Sequence, residues 1–130
     1  MIDKSRSTLN AAQRLIDICF YTESVHCSYY AVLQLMRYKL AHTVERPLTY
    51  DQQDILMGGR SSHEALLIEI KNRIGNPKIK RNFGQEFEDL KSKRIDADYS
   101  HRMFTDMEGM ECKQQADRLI SKLNNYIRTT

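Results

Sequence analysis

No apolar run in this sequence exceeds a few residues, which removes a membrane-spanning helix, since that needs about twenty predominantly apolar residues in succession. No apolar segment precedes the first amphipathic stretch, so a secretory signal is not expected and the expected location is cytoplasmic. Cysteine is scarce: Cys19, Cys27 and Cys112 are odd in number and lack a Cys-x-x-Cys spacing, which argues against a disulfide framework or a zinc knuckle and leaves them as small buried thiols. His26, His42, His63 and His101 have no short metal-ligand spacing, and neither a His-Glu-x-x-His helix nor an EF-hand loop is present. Gly58-Gly59 lacks the surroundings of a Walker loop or a dinucleotide fingerprint. No metal and no cofactor are therefore expected. The formal net charge of +3 is too small to name nucleic acid as a partner by itself. Alternation with a period of two is also missing, and with it any need for a sheet.

What is present is helical rhythm. A chain of 130 residues suits one domain over 1–130. The strongest pattern runs from Thr22 to His42 without Gly or Pro, with Val25, Tyr29, Val32, Leu33, Met36 and Leu40 recurring every three or four residues. That period lets a helix turn them to one face. His26, Tyr30, Arg37 and Tyr38 occupy much of the remaining circumference, so neighbours are expected on more than one side, and Thr22 is the expected cap.

Before this central helix, one from Ser7 or Thr8 to Phe20 is expected to bury Leu9, Ala12, Leu15, Ile16 and Cys19. After it, residues 43–60 contain Pro47 and few apolar anchors, and read as a long connection, mobile or holding one short turn. Ser61 or Ser62 is placed to cap a third helix through Leu66, Leu67, Ile70 and Ile74 that stops at Gly75-Asn76-Pro77. A fourth carries Phe83, Phe87, Leu90 and Ala97 on one face, with Gly84 weakening its first turn and its continuation past Arg94 left open. Thr105 and Glu108 have capping-box spacing ahead of a last helix over 106–127, with Met110, Cys112, Ala116, Leu119, Ile120, Leu123 and Ile127 turned inward. The fold class is all-α, a four- to five-helix up-and-down bundle.

The chemically suggestive stretch is 91–102, Lys-Ser-Lys-Arg-Ile-Asp-Ala-Asp-Tyr-Ser-His-Arg. In a helix Arg94 and Asp98 share a face, with His101 one further turn along. One account is structural: an Arg94–Asp98 ion pair, His101 near a helix end where a cation is favoured, and Tyr99 packed at the rim. The other is catalytic. Metal-independent RNA cleavage needs a base for the 2′-hydroxyl, a proton donor for the departing oxygen and a cation at the phosphoryl oxygens. Histidine suits the proton transfers and arginine the phosphate. Arg94 and His101 are the candidate catalytic pair, and Arg102, Tyr99, Asp98 and Tyr30 are the candidate substrate-binding residues. Helix rise alone keeps Arg94 and His101 about 10.5 Å apart, so a bend or a symmetry-related copy is needed to unite them.

The segments Tyr21 through Ala31, including Ser24-Val25-His26-Cys27-Ser28-Tyr29-Tyr30-Ala31, then Ser62-His63 and Arg94-Ile95-Asp96-Ala97-Asp98-Tyr99, in that order and followed by a long final helix, resemble the HEPN superfamily, in particular a small helical branch with a Tyr-Tyr-Ala helix and an Arg-x-x-x-Asp-Tyr motif. The resemblance spans most of residues 9–127. It implies a HEPN-like bundle and a homodimer. It also implies a role in nucleotide- or RNA-linked interactions, as a component of a toxin–antitoxin or nucleotidyltransferase-associated module with a nucleotidyltransferase-like partner protein. Many members resemble ribonuclease toxins in which a dimer places two Arg-x(4–6)-His motifs in one cleft, and the six residues between Arg94 and His101 fit the widest form. Ile95 stands where a polar residue is usual, and Asp96 and Asp98 put negative charge beside the phosphate site. Enzymatic activity is left open by these residues, and a purely structural or protein-interaction module is the third reading.

Overall fold

The computed structural model describes residues 2–58 and 62–130, the side chains of Ile2, Asp3 and Ser62 excepted. Six helices are found among the described residues: α1 (Ile2–Asp17), α2 (Tyr21–His42), α3 (Tyr50–Leu56), α4 (Ser62–Arg73), α5 (Pro77–Tyr99) and α6 (Asp106–Tyr126). Thr43 and Thr129 form an isolated bridge outside any strand. No described helix is long and apolar enough to cross a membrane.

The all-α bundle is as expected, and the count of four or five helices is corrected to six. The additional helix is α3, inside the 43–60 connection. Thr49 accepts from the backbone N–H of Gln52 while the Gln52 side chain accepts from that of Thr49, a reciprocal cap that a seven-residue helix needs because short helices nucleate poorly. Gln53, fully buried, donates to the carbonyls of Arg37 and Leu48 and accepts from Arg37 Nε, which fastens α3 to α2. Arg73 at the end of α4 donates to the carbonyls of Glu45 and Arg46. The connection is therefore anchored by polar side chains reaching in from its neighbours, which is why few apolar anchors suffice.

α2 touches each of the other five helices. Its expected inner face, Val25, Tyr29, Val32, Leu33, Met36 and Leu40, is buried, and Ser24, Ser28, Ala31 and Leu35 are buried on other faces. The small residues let neighbours approach: the hydroxyl of Ser5 donates to the Ala31 carbonyl at 2.6 Å, joining α1 to α2. The core completes with Leu66, Leu67, Ile70 and Ile74 near α4, Phe83, Phe87 and Leu90 on α5, and Cys112, Ala116, Leu119 and Leu123 on α6. Each such Leu, Ile or Phe contributes about 1.5–3 kcal/mol by leaving water.

Several local expectations change. α1 starts at Ile2 and ends at Asp17, short of Phe20. Thr22 is not a cap; its Oγ1 accepts from the Phe104 backbone N–H at 2.8 Å, tying the start of α2 to the segment before α6. Ser61 lies outside the described residues. α5 runs past Arg94 to Tyr99, started by Pro77 and the Asn76 side chain. Among the cysteines only Cys112 is buried, with Cys27 intermediate and Cys19 exposed. Met110 is 43% exposed and Tyr99 77% exposed, so neither fills the core. The capping box at Thr105 and Glu108 forms as its spacing predicts.

Candidate functional site

Where α2, α4 and α5 meet, three polar residues of α2 gather on one face. His26, Tyr29 and Tyr30 are three and four residues apart, so helical geometry stacks them along one side. Opposite, α5 brings Arg94 and Asp98, one turn apart, and α4 brings His63.

Tyr29 is the buried centre. Its hydroxyl lies 2.6 Å from His63 Nδ1. Burial pushes the Tyr29 phenol well above its ordinary range, despite the opposing effect of the Arg94 charge. Burial, with Arg94 and Lys91 nearby, holds His63 below the usual imidazole value. A protonated phenol beside a neutral imidazole donates to Nδ1, which leaves the His63 proton on Nε2.

Arg94 is nearly enclosed, with 10% of its side chain exposed and Nη1 3.5 Å from Asp98 Oδ2. Its guanidinium lies 4.9 Å from the centre of the Tyr29 ring and 5.6 Å from that of Tyr30. Ring faces stabilise a cation that water does not reach. Nε of Arg94 makes no hydrogen bond among the described residues.

Asp98 has two partners. Its Oδ2 also lies 2.9 Å from Nδ1 of His26, whose side chain is 49% exposed. A carboxylate only accepts, so Nδ1 carries the proton. The His26 ring packs on Tyr30 with centres 4.6 Å apart. The His26–Asp98 pair lies on the wall of a cavity of about 400 Å3, bordered also by Glu23, Cys27 and Ala97. Burial, then the Asp98 charge, raises the Cys27 thiol above its ordinary value, so it rests as a thiol.

The structure thus assembles Arg94, Asp98 and Tyr30 and leaves the other candidates outside. α5 ends at Tyr99, so His101 is not one turn further along the helix; it is exposed in the following segment. Arg102 is held by Asp96 at 2.9 Å and Glu108 at 2.7 Å and lies over the Phe104 ring. Those two carboxylates, Glu108 foremost, stabilise its charged form and compete with any phosphate for it.

Reading the histidines one by one misses His26 and His63. The usable signal is a pair of spacings: polar residues at 26, 29 and 30 on a helix expected to have several neighbours, and at 94 and 98 on another. Comparison with protein-family models, curated proteins and solved structures returns no match.

Proposed function

We propose that this chain is a HEPN-like helical protein acting in nucleotide- or RNA-linked interactions, within a toxin–antitoxin or nucleotidyltransferase-associated module, and that the His26–Tyr30 surface beside Arg94 and Asp98 is where RNA is met. The observation that carries the reading is the half-exposed His26 ring, oriented by Asp98 and packed on Tyr30 at the edge of an open cavity. Single-stranded RNA is recognised largely by stacking of unpaired bases on aromatic and imidazole rings, and this pair offers such a platform. Glu23 and Asp98 both line this cavity, and their charge favours the base end of a nucleotide over its phosphate. Arg94 positions Asp98 from behind. Titration of a short single-stranded RNA tests this: His26→Ala should weaken binding at least about tenfold, a loss of about 1.4 kcal/mol, with no cleavage of the RNA. Unchanged binding in His26→Ala rejects the reading.

A second reading, a metal-independent ribonuclease using Arg94 and His101 across a homodimer cleft, is favoured by the exposed apolar side chains Ile95, Tyr99, Met103 and Met107 flanking His101, which a second copy would cover. It requires cleavage in EDTA that leaves a cyclic phosphate and is lost in both Arg94→Lys and His101→Ala. Cleavage that persists in both, or a monomer in solution, rejects it.

A further inference from the structure

Two histidines flank the Tyr30 ring. His26 packs on it with centres 4.6 Å apart, and His63, arriving on α4, stands nearly perpendicular to it with centres 6.0 Å apart. Of the two, only His26 borders the open cavity. His63 joins the inner side of the cluster, where Tyr29 meets its Nδ1 at 2.6 Å and the Tyr29 ring meets that of Tyr30 edge-on at 5.2 Å. Among the described residues, this hydrogen bond is the side-chain polar link between α2 and α4.

The link works in one protonation state. A neutral imidazole accepts at Nδ1, whereas an imidazolium carries two N–H groups and offers no lone pair. The Tyr29 hydroxyl would then have to accept from Nδ1 and find an acceptor for its own proton. Its other polar neighbour is the Arg94 guanidinium, which only donates.

The surroundings of His63 also oppose a positive charge. From α5, Arg94 and Lys91 are the charges that reach it, and both are cations. From α2, the rings of Tyr29 and Tyr30 already hold the Arg94 guanidinium, at 4.9 and 5.6 Å from their centres, so neither is free to stabilise a second cation. On α4 itself, His63 is the second residue, at the positive end of the helix dipole. Two carboxylates are near in sequence or space without countering this: Glu64 lines the depression between α4 and α5, and Glu88 acts on Tyr29. From α3, no hydrogen bond reaches His63 among the described residues.

We propose that His63 is a proton-sensitive positioning residue: neutral, it holds Tyr29, and through Tyr29 the Tyr30 ring, in the posture that lets Tyr30 and His26 stack on a base, and a proton releases both. The inference rests on the RNA reading of that face, and His63 acts through Tyr29 rather than on RNA. Leu66 and Ile70 keep the rest of α4 in the core, so the release is a local opening of the first turn rather than unfolding. Linkage makes the effect reciprocal: bound RNA lowers the proton affinity of His63 by the factor by which the proton lowers RNA affinity.

Two measurements on the full chain test this. Titration with a short single-stranded RNA is repeated from about pH 8 to about pH 5, across the range in which histidine gains its charge. Each chain is compared with its own affinity at the upper pH. The wild type should lose at least about fivefold more than His63→Gln, whose side-chain oxygen accepts from Tyr29 at every pH; His26 is present in both and cancels. Nuclear magnetic resonance of the chain labelled in histidine and tyrosine follows the rings directly. The Tyr30 ring signals should move with the His63 imidazole signals in one transition, and RNA should displace that transition to lower pH. Tyr30 signals that stay in place while His63 titrates overturn the inference, as do identical pH profiles of RNA binding in the two chains. If RNA binds at no pH, the RNA reading fails by itself, and the coupled or uncoupled movement of His63 and Tyr30 still decides whether His63 positions the ring.

Discussion

Arg94, in the middle of the bundle, is enclosed by two tyrosine rings of α2 and a carboxylate one turn along its own helix, whereas Arg102, eight residues on, is exposed and clasped by Asp96 and Glu108. The same contrast separates their surroundings. Around Arg94 every partner arrives from a distant part of the chain except Asp98, and the groups fix one another: Asp98 orients His26, Tyr29 meets His63. Around Arg102 the backbone settles its own affairs, with the reciprocal Thr105–Glu108 cap and the turn after Ser100. A guanidinium buried among rings is part of the architecture, while one held on the surface by two carboxylates is spoken for without being structural.

Alanine at each position should separate the two sharply. Arg94→Ala removes a cation from two ring faces, leaves Asp98 with His26 alone and opens a gap against Tyr29. Loss of one member of such an enclosed pair costs about 2–4 kcal/mol, read as a lower urea midpoint at unchanged m-value. Arg102→Ala should leave the melting curve in place, because exposed ion pairs contribute little. Equal losses at both positions would abolish the distinction drawn between them.

Within the cluster, Tyr29→Phe keeps the ring under the guanidinium and removes only the hydroxyl. His63 Nδ1 then loses its donor in a half-buried setting, at a cost of about 1–2 kcal/mol. The variant isolates the α2–α4 link from the α2–α5 link: a double variant with Arg94→Ala should be more damaging than either single change. If Tyr29→Phe is neutral, the hydroxyl–imidazole contact is not a stabilising one.

The scaffold around these residues was legible because burial repeats with the helix. The α2 stripe from Val25 to Leu40, the stop at Gly75-Asn76-Pro77 and the Thr105–Glu108 box are local patterns, and each reports one element. α3 was not legible, because what holds it is Gln53 bonding to carbonyls of Arg37 and Leu48, and a glutamine carries no mark of burial in a sequence. The same blindness applied to the site. Arg94 and Asp98 pair through local spacing, but the link from Asp98 to His26 spans 72 residues, whereas His101 is nearer in sequence and fits the helical period. Extending the helical period past Tyr99 carried His101 onto a face that ends before reaching it.

Acid should expose the inner region before the outer one. His63 is held below its ordinary value of 6.5, chiefly by burial, so the unfolded chain binds the extra proton first. Stability from this group is fully present above 6.5, declines as the pH falls below it, and stops declining once the pH passes the lowered folded value. Asp89 is held below its ordinary value of 3.8, chiefly by its hydrogen bond from Gln115, and loses its contribution in a more acidic window. Denaturant midpoints followed from neutral to mildly acidic pH should slope in the wild type and flatten in His63→Gln. An unaltered slope in that variant would move the proton-linked loss elsewhere.

The smallest effect belongs to the end of the bundle, at the turn from α1 into α2. Phe20 N–H donates to the Leu15 carbonyl at 2.7 Å and Cys19 N–H to that of Ile16 at 3.0 Å, the paired bonds of a Schellman ending. The residue between Ile18 and Phe20 must then be left-handed, and Cys19 sits there with φ 67°. A side chain in that region costs about 1–2 kcal/mol, while glycine adopts it freely but loses more entropy on folding. Cys19→Gly should therefore stabilise the chain by about 0.5–1 kcal/mol, raising the denaturant midpoint, and should leave the RNA titration untouched. The Tyr21 hydroxyl, 3.3 Å from Cys19 Sγ, is exposed enough to take water in exchange. A loss of stability instead would mean that the thiol does more at this turn than its backbone strain removes, and the division between locally settled ends and a mutually fixed interior would have to be redrawn there.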